Sequence, residues 1–402
     1  MLLLSALMAG CGEETEPRPP VGPTYYEDVA PIVAAECSGC HTAGGIAPFV
    51  LERYEDALAV AESMKKATGD RTMPPWGADN SGDCQTYQDA RWLTDEQIAT
   101  IAAWVDGDRA PGDPASAPEP VPLPELEGVT HSVEMAADYH PNAELADDYR
   151  CFVLDPGLDA DAFMTAYEVV PGEPRTVHHV ILFALASEDA DAEAIALDEA
   201  EEGPGYTCFG GPGVGDFRFL AAWAPGTGAT VYPEGTGLEL WAGRKTIMQV
   251  HYNLAAGVLP DRTRVDMVLE PSVAEEAKVL PLAHLEMELA AGKPSVDTTF
   301  ETVVDPDVTA RILGVYPHMH TLGRTLRVER DRGAETTCVT WVPRWDFHWQ
   351  RFYFYEGAPI DAQPGDVFRI RCSYSTEDRT EPVTWGEGTA DEMCLAGFYF
   401  LE

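Results

Sequence analysis

The apolar positions of this chain change character twice along its length. Met1 to Gly10 is apolar apart from Ser5, and a polar, proline-rich run from Gly12 to Pro23 follows at once. From Tyr25 to Cys40 apolar residues recur at helical spacing, with Val29, Ile32 and Val33 and then Ala35, and Tyr54 to Ala67 reads the same way. Leu93 to Val105 predicts a well-marked helix. Thr94 caps it, Asp95, Glu96 and Gln97 fill its first turn, and Ile98, Ile101, Trp104 and Val105 form its buried stripe. Asp108 to Pro124 is rich in Pro, Ala and Asp and reads as a linker. Beyond Val129 the period falls to two. Short runs such as C-F-V-L, L-E-L-W, R-V-D-M-V-L and F-R-I-R-C-S-Y alternate with Gly/Pro turns, the pattern of antiparallel β-sandwiches. The length of this stretch predicts two sandwiches in tandem. Asp189 to Glu202 is an acidic, Ala-rich insert, expected as a helical excursion or an exposed loop.

The fold class is therefore multidomain: a small all-α unit followed by two tandem antiparallel, jelly-roll-like β-sandwiches. The expected boundaries are 1–23 for a leader and tether, 24–112 for the helical domain, 113–128 for a linker, and 129–275 and 276–402 for the sandwiches. With 402 residues the chain is long enough for several cores.

Charge narrows the partners. Lys+Arg 26 against Asp+Glu 68 gives a net charge of −42, which argues against nucleic acid and against attraction to an anionic membrane surface. The leader fits export, because L-M-A-G before Cys11 resembles a bacterial lipoprotein cleavage box. Cys11 would then carry the lipid, the only membrane contact expected, in a periplasmic or outer-membrane lipoprotein. Nine cysteines, at 11, 37, 40, 84, 151, 208, 338, 372 and 394, suit an oxidising compartment.

Cys37-Ser38-Gly39-Cys40-His41 is C-x-x-C-H, the haem c attachment signature. Two thiols hold the haem and His41 supplies one axial ligand; a zinc or redox C-x-x-C is the alternative. Met73, in T-M-P-P-W, is the expected second axial ligand, with Met64 as its competitor at core spacing within a helix. This helical plan resembles a small cytochrome c domain.

Histidines mark the strands. Gly314 to Arg324, G-V-Y-P-H-M-H-T-L-G-R, carries His318 and His320 two apart on one strand face, where two imidazoles can share copper or zinc. His178 and His179 in T-V-H-H-V-I-L-F point to opposite faces of a flat strand, and can share a metal only if the strand bulges or one ring turns back. His251 in M-Q-V-H-Y-N and Met393 in D-E-M-C would each, alone, be core residues. His131, His140, His284 and His348 lack a metal-like pattern and read as structural or surface residues. The aromatic run R-W-D-F-H-W-Q reads as core packing rather than a cleft wall.

H-H-V-I-L-F, Q-V-H-Y-N, H-M-H-T-L-G-R and D-E-M-C occur in that order, and together they resemble the copper type II ascorbate-dependent monooxygenases over roughly residues 145 to 402. The resemblance implies two coppers per chain. His178, His179 and His251 match the copper that stores and passes an electron; His318, His320 and Met393 match the copper that binds O2 and hydroxylates. Tyr149 and Gln249 match family residues beside the first. The neighbourhoods of Cys151 and Cys208, and Cys372 with Cys394, look like the family's disulfide positions, which leaves Cys84 and Cys338 as a bridge or as free thiols. The peptide-amidating members carry an arginine two residues before H-x-H, and an asparagine and a tyrosine after D-E-M-C. Here Tyr316, Leu395 and Gly397 stand there. The resemblance thus implies hydroxylation of a small, neutral or apolar substrate by O2, with ascorbate or another cytochrome as external electron donor and one covalent haem c in line. The alternative is a copper-binding electron-transfer or sensing lipoprotein without hydroxylase activity.

Overall fold

A computed structural model describes residues 22–43, 47–121, 125–145, 147–254, 257–386 and 391–402. Cys11 and the expected leader lie outside the described residues. Among those described, no helix is long and apolar enough to cross a membrane.

The first part is helical. A π-helical turn, Tyr25–Val29, leads into Ala30–Glu36, followed by Tyr54–Ala59, Ala61–Gly69 and Asp95–Asp106. The expected helix over 54–67 is two helices, because the backbone of Val60 leaves the helical region (φ −116°, ψ 14°). Asp95–Asp106 begins with a reciprocal cap: Gln97 N–H donates to the Thr94 hydroxyl at 3.2 Å, and Thr94 N–H donates to the Gln97 side chain at 2.8 Å. Tyr25, Val33, Ala57, Met64, Ile101 and Trp104 form a core of their own.

Residues 76–90 do not join that core. Trp76, Ala78 and Tyr87 are buried among the apolar residues of the second sandwich. The arm is fastened at both levels of structure. Asp79 N–H donates to Trp341 O (2.8 Å) and Gln88 N–H to Phe354 O (2.9 Å), Tyr87 and Thr340 hydroxyls are 2.9 Å apart, and Cys84 is bonded to Cys338. A disulfide closing so long a loop removes much chain entropy from the unfolded state. The bridge left open by the sequence therefore ties the helical part to the second sandwich.

The remaining chain is β-sheet. A five-stranded sheet runs in the order Tyr206–Thr207, Asp147–Leu154, Thr246–Asn253, Val177–Leu185, Phe217–Trp223. A four-stranded sheet runs Val296–Val303, Val367–Tyr374, Gly323–Arg332, Glu335–Val342. Facing both is one ten-stranded sheet, so the two sandwiches are fused rather than merely tandem. The junction is parallel: Thr236–Leu240 pairs with Glu275–Ala283 at Glu275↔Thr236 and Ala277↔Leu238. Glu275–Ala283 in turn pairs antiparallel with Leu395–Leu401. An edge strand from each half is thereby covered by the other half, which removes two open edges. The expected division at 275/276 falls at the start of this shared strand. Cys151–Cys208 and Cys372–Cys394 are bonded, one within each half; with Cys84–Cys338 they fit an oxidising compartment. The acidic insert is helical, Glu188–Ala200, capped by the Ser187 hydroxyl and held by Arg244 against Asp191 at 2.8 Å.

Candidate metal centre

Three adjacent strands of the five-stranded sheet build the first histidine group. His179 and His251 are direct partners on Val177–Leu185 and Thr246–Asn253, and Tyr149 is the partner of His251 on the other side. The register shifts between Val177 and His179. That bulge is the irregularity which lets adjacent rings face one way. His178 Nδ1 stands 3.1 Å from His251 Nδ1, and His251 Nδ1 stands 3.3 Å from His179 Nδ1. All three groups offer a nitrogen within 4.8 Å of the others. Nitrogens bound about 2.0–2.1 Å from one cation would be separated by roughly 2.9–3.6 Å, so the spacing fits a metal.

The protonation states agree. His251 Nε2–H donates to Asp147 Oδ1 at 2.9 Å, which leaves the lone pair on Nδ1, facing the other rings. Asn253 also donates to that carboxylate oxygen, at 3.1 Å. Burial and the neighbouring rings push the His178 pKa down to about 3, and hold His179 well below the usual imidazole value. Burial also lowers His251. Neutral imidazole is the form that binds a metal. Tyr149 stacks flat on His251, with centroids 4.2 Å apart. Gln249 lies on the same strand face but turns its amide away, donating to Gly211 O at 3.2 Å.

The second group lies at the end of strand Ala310–His318. His318 pairs with Leu395, and the backbone N–H groups of His320 and of the buried Met393 both reach Glu392 Oε2. The His318 and His320 rings are 5.2 Å apart. His318 Nδ1–H donates to Gln350 Oε1 at 2.6 Å, and His320 Nδ1–H donates to Asp391 O at 3.0 Å. Each ring keeps Nε2 for a metal. Burial lowers the His318 pKa to about 3. One side chain assembles this corner. The fully buried Glu392 carboxylate accepts from His320 N–H (2.9 Å), Leu322 N–H (2.6 Å) and Met393 N–H (3.4 Å), while burial raises its pKa to about 7. Two imidazoles and a thioether suit copper in both oxidation states better than a hard cation.

A loop that sequence reasoning consigned to the core stands between the groups. The Phe347 ring is 6.1 Å from His179 and 6.1 Å from His320, centroid to centroid. Trp345 Nε1–H donates to His320 O at 3.0 Å. The Gln350 amide that holds His318 also donates to Phe347 O at 2.8 Å. His348 is exposed, as expected of a surface residue, yet its Nδ1 is in hydrogen-bonding contact with His178 Nε2. The only sequence signal for this was the aromatic density of R-W-D-F-H-W-Q, which core packing explains equally well. A cavity of about 360 Å³ opens beside the loop, lined by Asp147, His251, Arg324, Asp346 and Phe347 among others.

Residues 278–401 match the family model described as "Copper type II ascorbate-dependent monooxygenase, C-terminal domain". Two relatives from Rattus norvegicus extend the likeness across both halves. Peptidylglycine alpha-amidating monooxygenase is 27% identical over 283 residues, covering 64% of this chain and 26% of the relative. Dopamine beta-hydroxylase is 26% identical over 273 residues, covering 60% and 43%. These likenesses support the copper type II monooxygenase family. The chain spans about a quarter of the amidating enzyme's length and under half of the hydroxylase's. Among solved structures, infectious bursal disease virus VP2 aligns over 72% of this chain and 82% of its own at a TM-score of 0.18 and 10% identity, too low to mark a shared fold.

Tyr316, Leu395 and Gly397 lie on paired strands beside the second group. Tyr316 pairs across the strands with Gly397, where a Cβ would meet the Tyr316 Cβ at 3.6 Å. The Tyr316 hydroxyl donates to Gln350 Oε1 at 3.2 Å. Tyr316 and His318 thus share Gln350 as a partner.

A further constellation lies in the helical part. Cys37 and Cys40 are free thiols, while the other six described cysteines are all in disulfides. Burial raises the Cys37 thiol pKa to about 12. Both line a cavity of about 1050 Å³ with His41, Phe49, Met64 and Met73. His41 Nδ1–H donates to Phe49 O at 3.0 Å, which leaves Nε2 with a lone pair. Met64 is buried and Met73 is 39% exposed, and both reach the same space. The donor set, its reduced thiols and apolar walls fit a covalently held haem.

Proposed function

We propose that this chain is an exported copper-dependent monooxygenase with two coppers and one haem c. Copper on His178, His179 and His251 would store an electron; copper on His318, His320 and Met393 would meet O2 and the substrate. The observation that carries the reading is the pair of buried, neutral histidine groups on either side of Phe347, in a chain with the family likeness above. Bound copper supplies one-electron redox and O2 chemistry. The chain's own residues do the rest. Asp147, Gln350 and the Asp391 carbonyl fix the tautomers, Glu392 fixes the backbone of the second site, and burial favours the neutral form of His178, His179, His251 and His318.

Hydroxylation of a C–H bond consumes O2, two electrons and two protons, and yields the alcohol and water. Ascorbate is one candidate donor; a haem on Cys37 and Cys40, with His41 and Met73 as axial ligands, would deliver electrons singly from another cytochrome. The covalent tether raises the donor's concentration at its acceptor. Lipidation at Cys11 would hold the enzyme at a bacterial periplasmic or outer-membrane surface.

The substrate class follows from the residues that neighbour the second histidine group in the strands. Tyr316, Leu395 and Gly397 offer no cation, so an anionic substrate finds no partner among them and a neutral or apolar one is favoured. Oxygen uptake by the copper-loaded protein, coupled to a hydroxylated product and lost in His318→Ala, is the expected result. Copper binding with no oxygen uptake across neutral substrates moves the reading to electron transfer or sensing. Rapid turnover of a glycine-extended peptide contradicts the substrate class.

A further inference from the structure

We infer that His348 is the link between the C-x-x-C-H cavity and the three-histidine group, the residue through which an electron passes from haem to metal. The inference rests on the haem and copper reading above and adds a residue which that reading does not itself require.

Three observations converge on it. One cavity is lined by Cys37, Cys40 and His41 and also by His178 and His348, so the thiols and the first histidine group face a shared space. Second, the His348 and His178 rings stand edge to face, 4.5 Å between centroids, with His348 Nδ1 in hydrogen-bonding contact with His178 Nε2. His178 Nδ1 is in turn 3.1 Å from His251 Nδ1. From His348 to the metal-facing nitrogen is therefore one hydrogen bond and one imidazole. Third, the loop is pinned on both sides of the residue. His348 N–H donates to Asp346 Oδ1 at 2.9 Å, and the Gln350 amide donates to Phe347 O at 2.8 Å. His348 comes from the second half and His178 from the first, so this contact also crosses between halves.

The chemistry requires no proton loss. A haem held on Cys37 and Cys40 would give up one electron and a copper held on His178, His179 and His251 would take it up, so the electron count balances. The hydrogen bond from His178 Nε2–H to His348 Nδ1 persists throughout. Tunnelling decays less steeply through bonded and hydrogen-bonded atoms than across a gap, and an acceptor on the outer nitrogen makes the ligating one more basic. His348 is thus a positioning and relay residue; it holds no metal itself.

The test uses the full chain with haem and copper in place. A light flash on a bound photoreductant reduces the haem, and its reoxidation is followed by absorbance. His348→Leu is expected to slow reoxidation by about 10–100-fold, the usual effect of losing an outer partner of a ligating imidazole. Its covalent haem spectrum and Cu(II) EPR intensity should persist. His348→Asn, whose side-chain oxygen stands near the place of Nδ1, should retain most of the rate. Equal rates in His348→Leu and the parent, or an Asn variant as slow as Leu, overturn the inference. Should the Leu variant not accumulate as folded protein, His348→Phe keeps the ring and removes both nitrogens. Absence of covalent haem or of the first copper in the parent protein overturns the underlying reading instead, before any variant is made.

Discussion

Glu392 makes the sharpest demand on the second site. Its carboxylate is fully buried, and it accepts the backbone N–H groups of His320 and Leu322, with a longer contact to Met393 N–H. Glu392→Ala leaves the first two donors without an acceptor. Each stranded donor costs about 1–3 kcal/mol, so the loss should be roughly 2–6 kcal/mol, before any term for the cavity. Glu392→Gln keeps one carbonyl oxygen but aims an NH2 group at the other donor, so it should cost about 1–3 kcal/mol. Urea unfolding of the metal-free protein at pH 8, above the carboxyl's pKa of about 7, measures both. The metal consequence follows, because one side chain positions the backbones of His320 and Met393. Both variants should lose copper from the second site to a chelator before the first. A cost below about 1 kcal/mol for Glu392→Ala, or second-site copper as tightly held as in the parent, would refute the role assigned to this carboxylate.

Other expectations follow from the same geometry. Asp147→Asn removes the carboxylate behind His251 and should weaken copper at the three-histidine group by about 10–100-fold, read by chelator competition with the second site as internal control. Metal-free protein should lose stability on acidification between about pH 6.5 and 3. His178 and His318 have folded pKa values near 3, so in that window the unfolded chain binds protons that the folded chain refuses. Urea midpoints at pH 7.5 and 5.5 test the sign, and copper loading should flatten the slope. Trp76→Ala, which empties a buried position of the arm beneath Tyr353, should cost about 3–5 kcal/mol in calorimetric or urea unfolding.

Much of this was legible in the chain because the relevant signals are local. The cap at Thr94, the period-two runs and the C-x-x-C-H motif each depend on a few neighbouring residues. The four histidine and methionine motifs were readable only as an ordered set, since His251 or Met393 alone has the character of a core residue. What was not legible depends on contacts far apart in sequence. The 76–90 arm is mostly polar, with Trp76 and Tyr87 as its only aromatics, and nothing in that composition says whose core they fill; they fill the second sandwich's. The parallel pairing of Thr236–Leu240 with Glu275–Ala283 fuses two sheets that alternation alone presents as separate. The bulge at His178 was only one of two ways adjacent histidines could share a site. Phe347, His348 and Gln350 act through the loop's path between the two histidine groups, and an aromatic run gives no sign of its path.

The central claim, two coppers and one haem on these residues, is tested most directly by metal and haem content of the periplasmically expressed protein, with copper titration followed by EPR. Two coppers and one covalent haem per chain, with type II Cu(II) signal lost in part on His178→Ala and in part on His318→Ala, is the predicted result. One copper or none with haem intact would contradict the second site, and copper without covalent haem would contradict the role given to Cys37, Cys40 and His41.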